Sequence, residues 1–179
     1  SFPPRPLRVL FAGTLCLRKG IPYLYEAITM LDPAKFEFRI VGPSAISEHA
    51  LSLLHAVADV RGSAPRSAMP DHYAWADVFV LPTLSEGSAN VCYEALAAGV
   101  PVITTPNAGS VVRDGIDGYI VPVRLAKAIA EKLDLLARDN VLQVQLSGNA
   151  VNRAKEFTLN DYSARLVDVV RSVISENSV

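Results

Sequence analysis

Cysteine is scarce. The chain has two in 179 residues, Cys16 and Cys92, far apart in sequence. Neither a disulfide framework nor a zinc-ligand spacing follows from them. Both lie in apolar stretches, which predicts two reduced, buried thiols and a cytoplasmic protein. A basic excess is also lacking. Lys and Arg number 17 against 18 Asp and Glu, a net charge of -1. The global field that draws a duplex or an anionic membrane is therefore missing, and no nucleic-acid partner is expected. Long hydrophobic runs are missing too. The longest uncharged stretch, 95–112, is broken by Gly99, Pro101, Pro106, Asn107 and Gly109, so it is no membrane helix. Membrane association is expected only through sequence outside this chain. Residues 1–7, rich in proline and without the apolar core of a signal peptide, read as a linker or chain edge. Histidine is sparse. His49, His55 and His72 are scattered without acid partners or metal-ligand spacing, so surface or edge positions and no metal site are expected.

What is present is apolar and alternating. Half of the residues are apolar and a fifth are charged, enough for a sizeable core within one domain over 8–179. Short apolar runs at 8–12, 36–41, 59–61, 78–81, 100–104 and 118–121 read as strands. The run at 78–81, Val-Phe-Val-Leu, does not alternate, as expected when both faces are covered. Between the runs lie helical stripes. Ile21, Leu24, Tyr25, Ile28 and Leu31 recur at helical spacing behind Gly20. Further helices are expected over 47–58, 69–76 and 88–98, with a short turn near 109–112. Leu125, Ile129, Leu133 and Leu136 form another stripe. A last one, at Tyr162, Leu166, Val169, Val170 and Val173, would be capped by Thr158 or Asn160. Such alternation argues an α/β fold: a doubly wound, Rossmann-like parallel sheet of about six strands with helices on both faces. Ligands of such sheets sit at the carboxyl ends of the strands, which selects the loops there.

The loop after the fourth strand is the most suggestive. Small residues lead from Pro82 into a helix, so N–H groups near Ser88, Ala89 and Asn90 would point outward. With the helix dipole they suit a phosphate; a plain strand–turn–helix capped by Ser88 is the alternative. Glu94 is the only charged residue between Glu86 and Arg113, and it sits among Val91, Cys92, Ala95 and Leu96. A carboxylate there needs donors. At about 1.5 Å per residue it lies roughly 6–9 Å along the axis from the phosphate site, a distance that suits a ribose. A surface position on the wet helix face is the alternative. Glu86 could orient a sugar hydroxyl or simply be solvated. The loop after the first strand, Gly13-Thr-Leu-Cys-Leu-Arg-Lys-Gly20, is neither a P-loop nor a dinucleotide fingerprint. Its adjacent cations, Arg18 and Lys19, could neutralise a diphosphate leaving group, or form a solvated pair before a helix. Met69 and Trp75 read as packing residues. No acidic cluster follows the first strand, which excludes a response regulator.

Together these segments resemble the C-terminal, donor-binding half of a retaining glycosyltransferase of GT-B fold, family 4 or "group 1". The resemblance covers residues 8 to about 175. Its centre is Glu86-Gly-Ser-Ala-Asn-Val-Cys-Tyr-Glu94 followed by Ala95-Leu-Ala-Ala-Gly-Val-Pro-Val102. Upstream stand Gly13 and Arg18-Lys19-Gly20; downstream stands Asp114-Gly-Ile-Asp-Gly-Tyr-Ile-Val-Pro122. The resemblance implies a nucleoside-diphosphate-sugar donor as partner. Lys19 and Arg18 would bind its diphosphate near Gly13 and Thr14, and Glu86 would touch the transferred sugar. The backbone from Gly87 through Ser88, Ala89 and Asn90 to Val91 would cradle phosphate, and Glu94 would hold the ribose. Arg61 and Gly62 would border the base. No bound metal or other cofactor is implied. An N-terminal acceptor domain, absent from this chain, is implied as well. Three departures stand out. Thr14 replaces an arginine common in the family, Ser88 and Ala89 replace an aromatic and a glycine, and the segment 121–125 enters its helix early. Two rivals remain at this point: an epimerase half-domain of the same fold, and a non-catalytic interaction module.

Overall fold

A computed structural model describes residues 5–157. Six strands are present: β1 (Leu7–Ala12), β2 (Phe36–Val41), β3 (Asp59–Val60), β4 (Val78–Leu81), β5 (Val102–Thr104) and β6 (Gly118–Ile120). They form one parallel sheet in the order β3-β2-β1-β4-β5-β6. The helices are α1 (Ile21–Thr29), α2 (Glu48–His55), α3 (Met69–Trp75), α4 (Asn90–Ala97), α5 (Ala126–Arg138) and α6 (Asn140–Lys155). The chain winds outward from β1 to β3, returns through α3, and winds the other way from β4 to β6. Right-handed crossovers then set the helices of the two halves on opposite faces. From β6, α5 packs back on α1, while α6 packs on α4. The doubly wound sheet is as the sequence indicates.

The core lies where the patterns put it. All four β4 residues are fully buried, and Phe11, Leu24, Leu96 and Leu133 are among the large side chains that join them. Strand β4 is central, covered on both faces, which is why its sequence does not alternate. Strand β2 shows the opposite habit. Phe36, Phe38 and Ile40 are buried, whereas Glu37 and Arg39 turn to the other face. There Arg39 lies over the Trp75 ring at 3.8 Å and Arg8 at 5.5 Å. Trp75 is thus a packing residue, its indole faced by two guanidinium groups.

Several expectations are corrected. The turn of helix expected over 109–112 is a 3-10 turn at Pro106–Ala108. Pro106 sets the φ of that turn's start, and Gly109 closes it in the left-handed region. Helix α4 begins at Asn90, and its cap is Ala89 rather than Ser88; no side chain caps it. Cys92 is buried, but Cys16 is only half-buried, because its loop runs along the sheet's rim. The stripe from Tyr162 to Val173 with its Thr158 or Asn160 cap lies outside the described residues.

Candidate functional site

The loops after β1, β4 and β5 are fastened together at the carboxyl edge of the sheet. Gly20 closes the first. Its φ is +78°, and a Cβ there would stand 1.9 Å from the Pro82 carbonyl oxygen. Only glycine lets the two backbones approach so closely. The buried hydroxyl of Thr83 donates to the Arg18 carbonyl at 2.9 Å, and Leu84 N–H reaches the same oxygen at 2.7 Å. On the far side, Thr105 Oγ1 donates to Thr83 O at 2.6 Å and Asn107 Nδ2 to Leu84 O at 2.8 Å. Glu86 N–H donates in turn to Asn107 O at 2.9 Å. The 82–90 loop is thus held from both flanks by hydrogen bonds to its neighbours.

Glu86 is held by this scaffold and is not simply solvated. Its side chain is 11% exposed. Oε1 accepts from Lys19 Nζ at 2.8 Å and from Arg18 Nη1 at 2.7 Å, with Thr83 Oγ1 at 3.3 Å. Burial pushes the carboxyl's pKa upward. The hydrogen bond and charge of Lys19, then those of Arg18, outweigh that, so Glu86 titrates below the ordinary glutamate value. Lys19 is 13% exposed and Arg18 56%. The aliphatic chain of Lys19 passes Gly13, whose missing Cβ would lie 3.6 Å from Cε. Half-buried Thr14 follows in the same loop. The sequence-predicted cations and the first glutamate therefore meet in one cluster.

Helix α4 supplies the second half of the site. Asn90 and Val91 occupy its first two positions, whose N–H groups have no intrahelical carbonyl to bond. The Ala89 N–H, expected to point outward, instead donates to Ala108 O at 3.1 Å. That bond accompanies the shift of the cap from Ser88 to Ala89. Gly87 and Ser88 are exposed beside it, and Ser88 Oγ lies 3.4 Å from Tyr93 OH. Gly109 abuts this stretch so tightly that a Cβ on it would stand 2.2 Å from Gly87 O.

Glu94 lies one turn further down α4, half-buried, with its side chain 35% exposed. Its donor is one the sequence did not announce. Tyr73, on α3, gives its O–H to Glu94 Oε2 at 2.9 Å. The exposed Arg66 stands 3.8 Å from Oε1. Tyr73 is 21 positions away in sequence, and only the crossover of α3 brings it near. Arg61 and Gly62 stand at the mouth of β3. Arg61 Nε turns to Asp59 at 2.7 Å, and Gly62 O accepts from Gly42 N–H at 2.7 Å. Among the described residues, no group of three or more His, Cys, Asp or Glu is arranged to hold a metal ion.

The downstream Asp114-Gly-Ile-Asp segment is structural in the described residues. Asp117 is fully buried and accepts from Arg113 N at 2.7 Å and Arg113 Nε at 2.6 Å. Asp114 accepts from Ile120 N–H at 2.9 Å. Together they fix the turn into β6.

This Rossmann-like domain shares its fold with GT-B glycosyltransferase structures. The crystal structure of Anabaena HepE in complex with UDP and glucose superposes with a TM-score of 0.83 at 17% identity, over 94% of this chain and 49% of that one. Sucrose-phosphate synthase from Thermosynechococcus elongatus gives 0.82 at 22%, over 98% and 47%. Residues 6–139 match the family described as glycosyl transferases group 1, and the chain belongs to that family. It is 30% identical over 177 residues to a Campylobacter jejuni enzyme, N,N'-diacetylbacillosaminyl-diphospho-undecaprenol alpha-1,3-N-acetylgalactosaminyltransferase, covering 95% of this chain and 46% of that protein. It is 32% identical over 187 residues to the D-inositol 3-phosphate glycosyltransferase of Streptomyces bingchenggensis, covering 94% and 41%. The chain thus spans less than half the length of these two relatives.

Proposed function

We propose that this chain is the donor-binding half of a retaining, metal-independent glycosyltransferase of the cytoplasm. The observation that carries the reading is one spatial order. Lys19 and Arg18 sit at the mouth of β1, Glu86 beside them on the β4 loop, the free start of α4 next, and Glu94 a turn below. A nucleoside diphosphate sugar fits that order from its sugar to its ribose. The diphosphate takes Lys19, Arg18 and the N–H groups of Asn90 and Val91, where the positive end of the helix adds its field. Glu86 addresses a hydroxyl of the sugar, and Glu94 accepts from the ribose. Gly87 and Ser88 line the approach, and the Arg61–Gly62 backbone borders the base. Negative charge grows on the leaving diphosphate as the glycosidic bond breaks. Fixed cations and N–H groups stabilise it without reorganising. The acceptor hydroxyl attacks from an N-terminal half outside this chain, so the domain by itself binds donor without efficient transfer.

The test is calorimetric titration of the chain with uridine, guanosine and adenosine diphosphates and their sugars. Anabaena HepE was solved with UDP, which makes the uridine compounds the first to try. One nucleotide should bind, equally well with and without a metal chelator. Glu94→Ala should weaken it by about 1–3 kcal/mol through lost hydrogen bonds to a charged group. Absence of binding across the panel would favour an interaction module that has kept the fold. Robust sugar transfer by the chain alone would contradict the division of labour.

A further inference from the structure

Tyr73 is not among the donor contacts proposed for this site, yet it is hydrogen-bonded to one of their residues, Glu94. It is 3% exposed, and its ring lies 6.0 Å from that of Phe79 on β4. Only the hydroxyl reaches the site. That hydroxyl has one proton and two oxygens within range, Glu94 Oε2 at 2.9 Å and Val91 O at 3.4 Å. An ionised carboxylate at the shorter distance is the stronger acceptor, so the proton points to Glu94. Burial, then the charge and the hydrogen bond of Glu94, raise the phenol's pKa well above its ordinary value. Tyr73 thus remains a donor throughout the neutral range.

The consequence falls on the geometry of Glu94. A glutamate on a half-open helix face has three rotatable side-chain bonds and loses that freedom when it binds a ligand. Here Oε2 is already tied to a residue locked in the core. One carboxylate oxygen is thereby held, and the other, Oε1, stands 3.8 Å from Nη2 of the exposed Arg66. We propose that Tyr73 is a positioning residue for the nucleotide ribose. It pins Oε2 of Glu94 so that Oε1 meets a ribose hydroxyl in a prepared orientation, and it thereby sets preference for ribose over deoxyribose. The proposal rests on the ribose role of Glu94 given above.

The experiment measures dissociation constants for the nucleoside diphosphate that binds in the panel, for its 2′-deoxy and 3′-deoxy analogues, and for inorganic pyrophosphate. The proteins are wild type, Glu94→Gln and Tyr73→Phe. Phenylalanine keeps the ring and its packing on Phe79. Wild type should favour the ribose form over at least one deoxy analogue by about tenfold, the value of one charge-assisted hydrogen bond. Tyr73→Phe should cut that ratio to about threefold or less, about half of such a bond, while pyrophosphate binds as before. An undiminished ratio in Tyr73→Phe overturns the proposal. So does an equal loss for pyrophosphate and nucleotide, which marks Tyr73 as packing alone. If wild type itself does not discriminate and Glu94→Gln changes nothing, the ribose reading of Glu94 fails first and takes the proposal with it. Should Tyr73→Phe not fold, Tyr73→Met, apolar, flexible enough to fill the space and without a donor for Glu94, is measured in the same way and judged by the same ratios.

Discussion

Lys19 Nζ lies 2.8 Å from Glu86 Oε1, and both side chains are almost removed from water. Arg18 shares the same carboxylate oxygen. The cations proposed for the diphosphate are thus neutralised by the acid proposed for the sugar. On the proposed reading an arriving diphosphate competes with Glu86 for these cations, which have donors to spare, and loosens its hold on them so that Glu86 can accept from a sugar hydroxyl. The two halves of the proposed donor site thus meet at one oxygen atom, Glu86 Oε1.

The coupling ranks the cations. Lys19→Met removes the nearly buried partner and should weaken pyrophosphate binding by about 1.5–3 kcal/mol, the usual worth of a hydrogen bond to a charged group. Arg18→Met should cost less, because its guanidinium is more than half exposed and screened by solvent. Isothermal titration with pyrophosphate checks the order. Equal losses from the two substitutions would contradict the geometry.

Glu86 also gives the fold a pH dependence of definite sign. Its pKa is lower in the folded protein than the ordinary glutamate value of the unfolded chain, because Lys19 and Arg18 outweigh the effect of burial. A depressed carboxylate pKa stabilises the folded state above the unfolded pKa, and that contribution vanishes as pH falls through the folded value. Wild type should therefore lead Glu86→Gln in unfolding free energy at neutral pH. The lead should shrink on acidification below the ordinary glutamate range. Denaturant titrations of both proteins across that range provide the comparison, and a lead that grows in acid would reverse the sign.

Gly20 offers a test of the loop scaffold itself. A Cβ at this position would meet backbone, the Pro82 carbonyl at 1.9 Å, in addition to the left-handed φ. Gly62 has a similar φ of +65°, but open space around its missing Cβ. Gly62→Ala should cost only the conformational penalty, about 1–2 kcal/mol. Gly20→Ala should cost clearly more and should reduce pyrophosphate affinity as well, since displacing Pro82 moves the loop that carries Glu86. Thermal unfolding and titration of both variants separate strain from collision.

The division between what the sequence discloses and what it conceals follows from range. Strand β4 and helix α4 are legible because burial on two faces and helical spacing are local patterns. The cluster of Arg18, Lys19 and Glu86 is legible as a list of residues, because parallel strands deliver their loops to one edge. Its wiring is not. That Glu86 holds both cations depends on Thr83 and Asn107, which fasten three loops whose residues are up to about ninety positions apart. The role of Tyr73 is illegible for the same reason: nothing in a helix of seven residues announces a contact 21 positions downstream. The alternative of a Ser88 cap rested on a side chain suited to capping. The Ala108 carbonyl takes the Ala89 N–H, and the cap falls one residue later, at Ala89.

Arg124 marks a strained point at the mouth of β6. It is the one non-glycine residue among those described with a positive φ, +63°, and it stands between β6 and α5. The sequence hints at this tight passage, since the segment enters its helix early. An L side chain in the left-handed region costs about 1–2 kcal/mol, from the approach of Cβ to the following carbonyl oxygen. Glycine escapes that penalty but adds freedom to the unfolded chain, which takes back part of the gain. Arg124→Gly should therefore raise the unfolding free energy by up to about 1 kcal/mol, readable as a higher Tm. A loss of stability would mean that the arginine side chain contributes more through its contacts than its backbone conformation costs, and that the short β6–α5 passage is held by Arg124 rather than strained by it.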